Sequence, residues 1–211
     1  NLKDSAKTIV CYGDSNTWGS IPRKSGIHER YPRSIRWTGA LQNLLGDDYD
    51  VVAEGLSGRT LVADSSGKAF RTGINHLVSI LKTHEPVYLI IIMLGTNETK
   101  ARYNLKPSDV AKHLEQTIQL VRAEDANIKI LVVCPPAPVD PKEGKIREDM
   151  KAAPEFFKEF SKLYKEVAGV NGCVYLNAND YVQCSLIDGY HLDSDAHKKL
   201  AEVLSGKIKA I

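Results

Sequence analysis

The stretch "TIVCYGDSNTWGS", residues 8–20, decides how the rest of the chain is read. Residues 8–12 are apolar and partly β-branched, the composition of a strand. The run then stops at Gly13-Asp14-Ser15-Asn16: a small residue, an acid, a hydroxyl and an amide. A plain turn would end a strand this way. So would a nucleophile held at the carboxyl edge of a sheet.

Four further runs match the first, at residues 49–53, 87–94, 129–133 and 173–177. Each is short and nearly continuous in apolar residues, as expected of strands buried on both faces of a parallel sheet. Helical spacing fills the intervals. Residues 37–45 stop at Gly46, residues 70–82 repeat Ile74, Leu77, Val78 and Leu81, and residues 106–125 open on Pro107-Ser108 with Val110, Leu114, Ile118 and Val121 in phase. Residues 154–167 carry Phe157, Phe160, Leu163 and Tyr164, and residues 194–211 carry Leu200, Val203, Leu204 and Ile208 behind an Asp193 or Ser194 cap. Strands alternating with helices predict an α/β chain, a three-layer α/β/α sandwich around a five-stranded parallel sheet. The 211 residues fit a single domain, 1–211, without repeats, linkers or low-complexity tracts.

Bulk properties remove several function classes. Net charge is +2, so nucleic acid is not an expected partner. The nearest approach to a basic patch, Arg23, Lys24, Arg30, Arg33 and Arg36, lacks repeated aromatic interleaving and reads as a solvated loop. No apolar run reaches the roughly 18 residues of a membrane helix. The opening "NLKDSAK" has no signal-peptide core, which points to the cytoplasm, although removal of a leader would leave the same sequence. The four cysteines, Cys11, Cys134, Cys173 and Cys184, form no CxxC pair and read as buried free thiols, with a Cys173–Cys184 pairing as the minor alternative. No Cys and His cluster has metal-ligand spacing, so no metal is expected.

In open parallel sheets the site lies outside the carboxyl ends of the strands. Those ends hold Gly13-Asp14-Ser15-Asn16, then Glu54 to Thr60, then Gly95-Thr96-Asn97-Glu98, then Pro135-Pro136, and finally Asp188-Gly189-Tyr190-His191. A hydroxyl, glycines, an amide, an acid and an imidazole are the set that nucleophilic acyl transfer needs. A serine hydroxyl requires a base, and the imidazole requires an acceptor on its other nitrogen. Of six histidines, only His191 follows closely on an Asp near the carboxyl edge, and Asp188 lies within one turn of it. The backbone N–H groups of Ser15 and Gly58 and the Asn97 amide are candidate oxyanion donors. His28, His76, His84 and His113 read as solvated, and His197 as helix packing. Asp14 and Arg59 read as structural and Met93 as core. Trp18 and Ser57 are candidates for the pocket wall, and the proline-rich loop 135–144 for a cleft rim. A flavodoxin-like phosphate binder shares the layout, but Gly13-Asp14-Ser15 sets an acid where an anion would sit.

The blocks "GDSN", "GLSGRT", "GTNE" and "DGYH", in this order, resemble those of the SGNH hydrolases, the GDSL-type esterases and lipases. The resemblance implies Ser15 as nucleophile and first oxyanion donor, Gly58 and Asn97 as further donors, His191 as base and Asp188 as its orienter. It also implies a flavodoxin-like five-stranded fold and no metal or organic cofactor. "CYGDSNTWG", "RWTGAL", "EGLSGRT" and "IIMLGTNETK" are similar to the bacterial arylesterase and perhydrolase-type branch, which implies short-chain acyl esters as small-molecule substrates and self-association into a homo-oligomer. The alternatives on the same site are a carbohydrate acetylesterase or an acyl-CoA thioesterase, and a non-catalytic binding module in a different class. Asn16 stands where many members have Leu, and Glu98 where Asp is common. Neither is expected to touch a catalytic role.

Overall fold

In the computed structural model, which describes residues 2–23, 28–63, 67–143 and 145–211, five parallel strands form one sheet. They are β1 (Lys7–Gly13), β2 (Tyr49–Gly55), β3 (Val87–Met93), β4 (Lys129–Cys134) and β5 (Val174–Asn177), in the order β2-β1-β3-β4-β5. Gly13 pairs in register with Gly55 on one side and Met93 on the other, so the carboxyl ends of the central strands finish level. Side chains alternate between two separate cores, as a strand's two-residue period requires. Val10, Tyr12, Ile90, Ile92 and Val132 pack under α3 (Ile74–Thr83), α4 (Pro107–Glu124) and α5 (Ala153–Val170). Ile9, Cys11, Leu89, Ile91, Met93 and Val133 pack under α2 (Trp37–Leu45) and α6 (Ser194–Lys209). Burial on both faces is why β1, β3 and β4 read as unbroken apolar runs. The edge strands β2 and β5, expected to be buried likewise, have a neighbouring strand on one side only and stay mostly half-buried.

Three expectations shift. The helix read at 70–82 starts only at Ile74, and Ala69–Arg71 is a short 3-10 turn. The intervening backbone pairs elsewhere: Thr60 N donates to Arg71 O at 2.9 Å and Gly73 N to Thr60 O at 3.0 Å. α5 runs past its apolar stripe in both directions, to Ala153 and Val170. All four cysteines are free, but Cys173 precedes β5 and is only partly buried. Among the described residues no helix is long and apolar enough to cross a membrane.

Candidate active site

The chain turns at the end of β1 because Asp14 caps the next segment. Its Oδ1 accepts Asn16 N at 2.9 Å and its carbonyl accepts Trp18 N at 2.8 Å, which winds Ser15–Trp18 into one helical turn, α1. Ser15 is thereby fixed just beyond the carboxyl edge. Gly55 at the end of β2 permits this, since a Cβ there would stand 2.2 Å from Trp18 N.

His191 arrives on the loop between β5 and α6. Asp188 folds that loop around itself: its Oδ1 accepts Tyr190 N at 3.2 Å and His191 N at 3.1 Å. Its Oδ2 accepts His191 Nδ1 at 2.7 Å and Arg23 N at 3.1 Å. Burial alone would raise the Asp188 carboxyl, but the His191 hydrogen bond and charge and the backbone donors reverse this and hold it below its ordinary value. With Nδ1–H given to Asp188, the free lone pair of His191 lies on Nε2, 3.0 Å from Ser15 Oγ. Ser15, His191 and Asp188 thus form one hydrogen-bonded chain, with the imidazole and the carboxylate both buried.

Asn97 follows β3 on a 3-10 turn, Asn97–Thr99. Lys100 Nζ donates to its Oδ1 at 2.7 Å. Lysine is donor-only, so this contact fixes which end of the amide is nitrogen. Asn97 Nδ2 donates to Arg59 O at 3.0 Å and, more weakly, to Asp14 Oδ2 at 3.3 Å. Gly58 holds φ +81°, the left-handed region, and a Cβ there would come within 3.0 Å of the Arg71 guanidinium carbon. Ser15, Ser57, Gly58, Asn97 and His191 line one cavity of about 160 Å³. A hydroxyl, a base and several donors around a small cavity are the equipment for attack on an acyl carbonyl.

The GDSL-like Lipase/Acylhydrolase family model matches residues 11–199. The chain belongs to this family. This family member is similar to the inhibitor-bound M. smegmatis aryl esterase, with a TM-score of 0.92 and 30% identity over 97% of this chain and 99% of that one. It is similar also to Est24, a carbohydrate acetylesterase from Sinorhizobium meliloti, with a TM-score of 0.89 and 35% identity over 97% and 99% of the two chains. An acetylxylan esterase of Xylanibacter ruminicola is 27% identical over 231 aligned residues, covering 98% of this chain. The chain spans 44% of that curated relative's length. The fold is that of the SGNH hydrolases.

Several readings of individual residues need correction. Asn16, expected to stand apart from the chemistry, is 2% exposed and clamps the histidine loop. Its Nδ2 donates to Tyr190 O at 3.1 Å and its Oδ1 accepts Leu192 N at 2.9 Å, on either side of His191. Trp18 does not line the cavity. Its indole backs His28, stacked with centroids 4.5 Å apart, and His28 is the ring that lines it. His28 Nε2 lies 2.8 Å from Ser20 Oγ and 3.3 Å from Ser57 Oγ, so it is not a free solvated side chain. Ser57 does line the cavity. Arg23, read as part of a solvated loop, lines it as well, while Arg30 stacks over Trp18 at 4.8 Å. Lys24 lies outside the described residues. The proline-rich loop is a buttress rather than a rim: Val139 N donates to Gly189 O and Lys142 N to Leu186 O, both at 2.8 Å. Gly144 is outside the described residues, and the rim on that side is Arg147 and Met150.

His84, expected in solvent, is half-buried with Nε2 2.9 Å from Glu54 Oε1. His76 and His113 are half-buried too, each with one ring nitrogen buried and without a partner among the described residues. His197 is fully buried and accepts Trp37 N on Nδ1 at 3.2 Å; burial pushes it down to about 4, so it stays neutral. Arg59 is structural, donating to Gly13 O at 3.1 Å across the Tyr12 ring.

Glu98 gives a stability prediction. Its Oε1 accepts Leu61 N, its Oε2 is buried without a partner among the described residues, and burial pushes it up from its ordinary 4.5 to about 8. Between those two values the folded state binds a proton that the unfolded state has released, so stability falls as pH rises through the window. Glu98→Gln keeps the acceptor for Leu61 and removes the titration. Its melting temperature matches wild type near pH 5 and exceeds it by about 5 °C or more at pH 8. Parallel melting curves for the two proteins at both pH values would refute this.

Proposed function

We propose that the protein is a serine ester hydrolase acting on short-chain acyl esters, with Ser15, His191 and Asp188 as its catalytic residues. The observation that carries this is the continuous chain from Ser15 Oγ through His191, at 3.0 Å and 2.7 Å, to Asp188, at the edge of a cavity small enough to suit an acetyl-like group. Ser15 Oγ attacks the carbonyl carbon while its proton passes to His191 Nε2. Asp188 holds the imidazole in the accepting tautomer and stabilises the imidazolium. The oxyanion is met by the N–H groups of Ser15 and Gly58 and by Asn97 Nδ2. Collapse expels the alcohol with the His191 proton and leaves an acyl-Ser15. Water then gives a proton to His191 and attacks the acyl carbon. The acid departs as Oγ regains its hydrogen.

The Sinorhizobium and Xylanibacter relatives support a second reading, in which the leaving alcohol is an acetylated sugar. Release of acetate from acetylated xylan, measured against phenyl acetate, separates the two. A fluorophosphonate tests the shared chemistry, because Ser15 Oγ displaces its fluoride only if activated. Intact mass and peptide mapping show one adduct, on the Ser15 peptide, and none in Ser15→Ala. An enzyme that hydrolyses esters while labelling elsewhere overturns the assignment.

A further inference from the structure

The cavity beside Ser15 is built from cations. Arg23, Arg71, Lys100 and Arg147 all line it, together with the imidazoles of His28 and His191, and no Asp or Glu lines it among the described residues. The chain as a whole carries 28 Lys and Arg against 26 Asp and Glu, so this is a local concentration. They come from four separate connections after β1, β2, β3 and β4.

Among the described residues, carboxylates neutralise only Arg147. Asp149 pairs with Arg147 alone, through bonds of 3.0 Å and 2.8 Å. Asp188 is committed to His191 and to backbone N–H groups, including that of Arg23. Asp14 is 2% exposed, bonded to Asn16 N and Asn97 Nδ2, and raised by burial. Lys100 spends its hydrogen bond on the neutral Asn97 amide. Arg23 Nη1 and Arg71 Nε are shut off from solvent and have no hydrogen-bond partner among the described residues. Buried charged donors without acceptors are costly unless a ligand supplies the acceptor. The crowding also shows in titration: burial, then Arg102 and Arg147, pull Lys100 down to about 8, and burial, then Arg23, lower His28.

We propose that the preferred substrate is a short ester carrying its own anionic group, a carboxylate or phosphate close to the scissile carbonyl, which Arg23, Arg71 and Lys100 bind. This rests on the serine esterase reading and names the substrate class of that site. Arginine is suited to the role because its fork meets carboxylate or phosphate oxygens in pairs.

Two matched pairs test it. In mono(4-nitrophenyl) succinate and its methyl ester the charge is on the acyl side. In 4-acetoxybenzoate and its methyl ester it is on the alcohol side. The wild-type kcat/KM favours the charged member of one pair by about tenfold or more, a charge-assisted hydrogen bond being worth ~1.5–3 kcal/mol. The pair that shows it assigns the anion to acyl or alcohol. That ratio shrinks in 0.5 M NaCl on the order of several-fold, and Arg71→Gln and Arg23→Gln each lower it about tenfold. Equal or inverted preference in both pairs overturns the proposal, as does a preference that neither salt nor substitution moves. The salt series decides alone if the variants misfold. Ser15-dependent turnover of para-nitrophenyl acetate is run alongside: if it persists without anion preference, only the substrate class fails, and if it is absent, the esterase reading fails.

Discussion

Ser15→Ala lowers kcat for para-nitrophenyl acetate by about 10⁴-fold or more, and His191→Ala does the same. In the proposed mechanism the hydroxyl and the imidazole act on one proton. Without His191 the Ser15 hydroxyl has no acceptor for its hydrogen, and without Ser15 the His191 base has no nucleophile to activate. The two losses therefore do not multiply. The double variant falls to about the level of either single one, with a residue of ~10³–10⁴ over water from binding and oxyanion stabilisation. Asp188→Asn joins the same unit: its amide no longer holds Nδ1–H as a buried carboxylate at 2.7 Å does, and the preferred tautomer is lost. Steady-state kinetics on the four variants decide the matter. A double variant whose loss equals the product of the single losses shows that Ser15 and His191 work independently and breaks the triad assignment.

The strand ends were readable because each is a local event. An apolar run stops at a glycine and a polar residue, and the parallel register then lines up Gly13 and Gly55 without further information. The clamp made by Asn16 could not be read this way. Its partners, Tyr190 and Leu192, lie at a sequence separation of 174 and 176 residues, and nothing around Asn16 announces them. The cationic cavity was hidden for the same reason. Arg23 and Arg71 are ordinary loop residues in sequence, and Lys100 and Arg147 belong to other loops. Only closure of the sheet sets all four around Ser15. The segment before α3 failed differently: its apolar spacing was helical, but Thr60 competed for its backbone groups and won.

Asn97→Ala lowers kcat by ~10²–10³ while KM changes little, because a donor aimed at the oxyanion contributes only once the carbonyl oxygen carries charge. The resting hydrogen bonds explain how the donor becomes available. One Nδ2 hydrogen is held by Arg59 O at 3.0 Å, and the other reaches Asp14 Oδ2 at 3.3 Å, the weaker of the two. Asp14 competes with the oxyanion for that hydrogen, and burial raises its carboxyl above its ordinary value. Lys100 works from the opposite end. Its ammonium on Oδ1 at 2.7 Å draws electron density along the amide and holds Nδ2 toward the cavity. Asn97→Asp keeps the shape, replaces the donor by an acceptor beside Asp14, and loses at least as much turnover as Asn97→Ala. If either variant retains kcat within tenfold of wild type, the Ser15 and Gly58 N–H groups carry the oxyanion alone and Asn97 is a strut between β3 and the Asp14 turn.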